Sequence, residues 1–92
     1  MSGARGFPFP GESKKGDSGN ATRAWQDRFV ESGYLEYTTG SHDAETADAF
    51  KRLREDLKYE VPTEEVDGKA KPTEAATGGT EGLWKAYAKS DL

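Results

Sequence analysis

The chain is short of the residues from which hydrophobic cores are usually built. Isoleucine is absent from its 92 residues, and leucine, valine and phenylalanine together number twelve, about 13%. Chains that fold unaided usually exceed roughly 20%. The formal charge of −4 is moderate, so the self-repulsion that holds strongly acidic chains open is missing. One small, partly ordered domain is the expectation, stabilised in part by a partner. Such apolar surface as exists is aromatic and clustered. Trp25 and Phe29 stand four residues apart, and Leu83, Trp84 and Tyr87 gather at helical spacing near the other end. Large rings cover much area for little side-chain entropy, which suits them to anchoring on another surface.

The pattern predicts a mainly α chain with extensive irregular or disordered segments and no substantial sheet. Two helices are expected at about 20–32 and 41–60, and a shorter one at about 80–90. In the first, Ala21, Trp25 and Phe29 form a narrow stripe, with Asn20 placed as the N-cap and Gly33 just past the end. In the second, Ala47, Phe50, Leu53 and Leu57 share one face, and Thr39, Ser41 or Asp43 can cap its start. Acidic residues sit early in that helix and Lys51, Arg52, Arg54 and Lys58 late, as the helix dipole favours. Pro62 is expected to close it. An αα-hairpin through residues 34–40 would bring Trp25 and Phe29 to Phe50 and Leu53. Residues 34–39 alternate like a strand, but no second strand is evident. They read as a linker, or as an addition to the edge of a partner's sheet.

The rest divides by composition. Residues 1–19 form a Pro/Gly-rich arm in which Phe7-Pro8-Phe9-Pro10 is stiffened toward extended geometry. The arm reads as a loose terminus, or as a docking peptide whose Phe7 and Phe9 fill pockets on a partner. Residues 20–61 read as the helical unit and 62–79 as a flexible tether too polar to order itself. Residues 80–92 read as an independent aromatic docking helix capped by Thr80.

No chemistry stands out. The absence of cysteine removes disulfides, thiolate ligands and thiol nucleophiles, and favours a soluble intracellular or organellar compartment over secretion. No signal peptide or bilayer-spanning run is recognisable. Without a secretory signal, Asn20-Ala21-Thr22 is weak as a glycosylation acceptor. His42 is the only histidine; it reads as a solvated residue at a helix start, with no further His or Cys to complete a metal site. The glycine clusters at 3–11 and 78–82 lack the flanking elements and the Gly-Lys-Ser/Thr run of phosphate loops. Lys51-Arg52-Leu53-Arg54 is the one basic cluster, too little for nucleic-acid binding. No catalytic residue, cofactor or metal is expected.

These features point to a non-catalytic accessory subunit or assembly factor that clasps a larger protein or multi-subunit complex. A photosynthetic or respiratory assembly suits the profile. Trp25, Phe29, Phe50, Leu53, Leu83, Trp84 and Tyr87, with Phe7 and Phe9, would be the anchors. Two tethered contacts would reinforce each other through effective concentration. The alternative is an acidic inhibitor or nucleic-acid mimic that fills a basic groove with Glu45, Asp48, Glu55, Asp56, Glu60, Glu64 and Glu65. A third reading is a self-contained mini-domain with Trp84 folded back onto the second helix.

Overall fold

Each helix is bounded by residues that satisfy its end groups. Helix α1 (Asn20–Ser32) starts after Gly19, whose φ of 116° only glycine adopts readily, and no side chain caps it. Asn20 is thus the first helical residue and not the expected cap. Gly33 closes α1 in the left-handed conformation, its N–H donating to the Phe29 and Val30 carbonyls. Helix α2 (Ala44–Leu57) is capped by Asp43, whose carboxylate accepts from the Thr46 N–H at 3.0 Å. It is shorter than the expected 41–60 at both ends. Lys58 turns left-handed at φ 54° and returns its N–H to the Arg54 and Glu55 carbonyls, so the helix stops before Pro62 is reached. Helix α3 (Glu81–Lys89) is capped by Thr80, whose hydroxyl accepts from the Leu83 N–H at 3.2 Å.

The computed structural model describes residues 6–61, 63–72 and 77–90. Pro62, residues 73–76, and the ends of the expected arm (1–5) and docking helix (91–92) lie outside that set. The protein is mainly α with no substantial sheet, the only paired strands among the described residues forming one small hairpin. Strands β1 (Thr63–Val66) and β2 (Lys69–Pro72) pair antiparallel, from Thr63 opposite Pro72 to Val66 opposite Lys69. Asp67 and Gly68 both have positive φ, 52° and 76°, as a two-residue hairpin turn of matching twist requires. This hairpin occupies part of the expected tether. Residues 34–39 form bends and no strand, consistent with a linker between α1 and α2.

The rings pack on one another. Trp25, Phe29, Ala49, Phe50, Leu53, Leu83, Trp84 and Tyr87 form the buried core. Trp25 is its hub, with centroids 5.0 Å from Phe50 and 4.8 Å from Trp84, the latter edge-on. Phe29 lies 4.8 Å from Phe50, also edge-on, and 6.0 Å from Tyr87. Trp25 and Phe29 of α1 therefore meet Phe50 of α2, as the spacing predicts, and α3 packs against α2. Offset and edge-to-face pairs of this kind add about 0.5–1.5 kcal/mol each beyond their burial.

Buried polar groups complete the interior. Gln26 Nε2 lies 2.8 Å from Thr46 Oγ1 and 2.9 Å from the Ser41 carbonyl, while Gln26 Oε1 accepts from the Gly40 N–H at 2.7 Å. Among the described residues, no buried side-chain nitrogen or oxygen is left unpaired, so these groups do not incur the penalty of an unmade bond. The Cα radius of gyration is 12.6 Å, against about 12 Å for a compact chain of this length and about 30 Å for an unfolded one.

Candidate functional site

Seven of the nine residues expected to anchor a partner, all but Phe7 and Phe9, are turned inward. Trp25, Phe29, Phe50, Leu53, Leu83 and Tyr87 have no exposed surface, and Trp84 retains 4%. In this conformation they cannot serve as anchors, because the helices bury them against each other. Periodicity identified the apolar faces correctly; the occupant of those faces is the chain itself. α3 is likewise part of the same core and not a separately docked tail.

The described part of the arm also docks in cis. The Phe7 carbonyl accepts from Trp84 Nε1 at 3.2 Å, and the Gly11 carbonyl from Trp25 Nε1 at 2.8 Å. Phe9 meets Trp25 edge-on at 6.5 Å. Phe7, half exposed, lies under the Arg28 guanidinium at 4.0 Å. Farther along, Ser13 and Gly79 exchange backbone bonds, and Ser18 bridges to Ser41. Residues 6–19 are thus woven into the fold by bonds to groups that the sequence leaves without an obvious partner.

His42 departs most from expectation. It is 3% exposed, where a solvated helix-start residue was foreseen. The ring stacks on Phe50 at 4.9 Å and 18°. Nδ1 lies 2.8 Å from Ser13 Oγ, which is also 2.8 Å from Thr22 Oγ1. Burial pushes the imidazole below its ordinary value of 6.5, against the opposing pull of Asp17 and Asp43. A Ser–His contact is the core of a nucleophilic pair. Here Ser13 is 1% exposed, so its hydroxyl is closed off from a substrate in this conformation, and among the described residues no carboxylate bonds to the ring. The contact pins the arm to α1 and to the start of α2. The sequence offered no sign of it, because Ser13, Thr22 and His42 meet only through tertiary folding.

A groove beside the α1–α2 connection is open to solvent. It has a volume of about 480 Å³ and lies between residues 34–37 and the first half of α2, with Tyr34, Leu35, Glu36, Tyr37, Glu45 and Asp48 along its walls. Tyr37 is 60% exposed, the most of any large apolar side chain in the described fold. Arg52 also reaches the groove but is committed, to Asp48 Oδ2 at 3.1 Å and to the Tyr34 carbonyl at 2.6 Å. Tyr34 donates its hydroxyl to Asp56, and burial together with that bond raises its pKa well above the ordinary tyrosine value. Glu36 and Glu45 make no ion pair among the described residues. The groove therefore presents an exposed ring beside uncompensated negative charge. Of the acidic set considered for groove mimicry, Glu45 and Asp48 line it.

No group of three or more histidine, aspartate or glutamate side chains able to hold a metal occurs among the described residues. No helix there is long and apolar enough to cross a membrane. Comparisons with protein-family models, with characterised proteins and with solved structures found no match.

Proposed function

We propose that this chain is a non-catalytic accessory protein whose folded body docks on a basic segment of a larger protein or multi-subunit complex. The observation that carries the reading is the groove at Tyr37, where a solvent-facing ring adjoins Glu36 and Glu45. Lysine or arginine on a partner can lay its aliphatic stem on the ring and its charge among the carboxylates. The same negative charge disfavours a nucleic-acid backbone. The sealed Ser13–His42 contact supports a role without catalysis.

Photo-crosslinking in an extract of the native host tests the reading. With benzoylphenylalanine at Tyr37, a discrete partner should be captured, and capture should fall at 0.5 M salt and in the Glu36→Lys, Glu45→Lys double variant. The same photoprobe at Lys69, on the hairpin, should miss that partner. Equal capture from both positions, or capture indifferent to salt and charge reversal, would contradict it.

A further inference from the structure

A second cavity, of about 280 Å³, opens where the arm, α2 and the segment before α3 meet. Its walls carry Lys15, His42, Lys51 and Arg54, with Asp48 as the one acidic member. Asp48 is already held by Arg52. Lys15 and Lys51 make no ion pair among the described residues. Arg54 bonds to the Thr77 carbonyl through one guanidinium nitrogen, and burial lowers its pKa. It is a partly desolvated cation with only neighbouring Glu55 to favour its charge.

The histidine supplies an observation independent of that charge. Its Nδ1 is taken by Ser13, and Nε2 has no hydrogen-bond partner among the described residues. Since no buried side-chain nitrogen among the described residues is left unpaired, Nε2 keeps some contact with solvent, and His42 is among the residues that line the cavity. A residue only 3% exposed thus carries one polar atom without a partner among the described residues, beside a cavity that Lys15, Lys51 and Arg54 also line. When the Ser13 hydroxyl donates to Nδ1, the neutral imidazole carries its proton on Nε2, which is then a donor.

We propose that this cavity binds a phosphate group, as inorganic phosphate or as a small phosphate monoester. Three cations and an imidazole donor match a ligand with up to two negative charges and several acceptor oxygens better than a single carboxylate. The volume of about 280 Å³ falls just below that of drug-sized ligand sites, which run from about 300 Å³ upward, and suits a smaller ligand. Asp17 and Asp43, which act on His42 from the arm and from the turn before α2, work against an extended polyanion. The site stands apart from the Tyr37 reading, and neither depends on the other.

Nitrogen-detected NMR of the full chain, at constant ionic strength set with potassium chloride, provides the test. Inorganic phosphate and glycerol 3-phosphate are titrated separately while the His42 Nε2 resonance is followed. A saturable shift is expected, together with an upward move of the His42 titration, because a bound dianion favours imidazolium over the desolvation that now opposes it. Lys15→Ala and Lys51→Ala, both at exposed positions, should each weaken binding about tenfold. Saturation by inorganic phosphate alone identifies a free-phosphate site, and equal or tighter binding of the ester identifies a monoester site. A linear, unsaturable shift, or affinities unchanged in both lysine variants, overturns the proposal.

Discussion

At His42 a single ring joins three parts of the chain, and its titration should be visible in stability. Burial disfavours the charged imidazole in the fold and lowers its pKa, whereas the unfolded chain protonates near 6.5. Between those two values the unfolded state binds more protons. Stability should therefore fall as pH drops from about 6.5 through the lower folded value, and level off beneath it. Asp43 acts in a separate window. Its carboxylate, held low chiefly by the Thr46 N–H, gives stability that is lost only as pH falls below about 3.8 toward its depressed folded value. Urea midpoints between pH 7.5 and 5 should decline in the parent chain and be flatter in His42→Gln. A flat profile in the parent would contradict the buried, neutral assignment. Gly79 is constrained by contact: an added Cβ would lie 2.4 Å from Trp25 Cε2. Gly79→Ala should cost about 1–3 kcal/mol by denaturant unfolding, the range for overfilling a packed interior.

Among the elements, the caps give contrasting predictions. Asp43→Ala removes the carboxylate that holds the Thr46 N–H and hydroxyl and should cost about 1 kcal/mol. Asn20→Ala should stay within about 0.5 kcal/mol, because Asn20 is exposed and α1 has no side-chain cap. Both are read from urea midpoints, and equal losses would contradict the boundary at Gly19. The helices were legible because Trp25–Phe29 and Phe50–Leu53 repeat at helical spacing beside usable caps. Their exact limits were not, since Thr39, Ser41 and Asp43 could each open α2, and the choice rests on which one Thr46 can reach. The β1–β2 hairpin is hard to read from the sequence although Asp67-Gly68 is a strong turn pair. Its strands, Thr-Glu-Glu-Val and Lys-Ala-Lys-Pro, lack the apolar alternation by which strands are recognised.

For the whole molecule, the open question in the sequence was where the rings go. An apolar stripe on a helix looks the same whether a partner or another segment of the chain covers it. Counting aliphatic residues pointed to a partner, but two indoles and Tyr87, with hydrogen-bonded Gln26, Thr22 and Thr46 filling between them, close the interior from within. The Tyr37 groove and the His42 cavity were illegible for a related reason, since each is assembled from segments brought together only by folding. Trp25→Ala should cost about 3–5 kcal/mol, a large share of the stability available to so small a chain, and near-ultraviolet circular dichroism should show the aromatic packing lost. The most direct measurement is acrylamide quenching of tryptophan fluorescence in the purified, isolated chain across a urea titration. The structure predicts that Trp25 and Trp84 are both shielded without denaturant and become accessible together in one cooperative transition. Quenching as efficient as for free tryptophan in buffer alone, or a gradual rise with no transition, would show that the rings are not sheltered by their own chain.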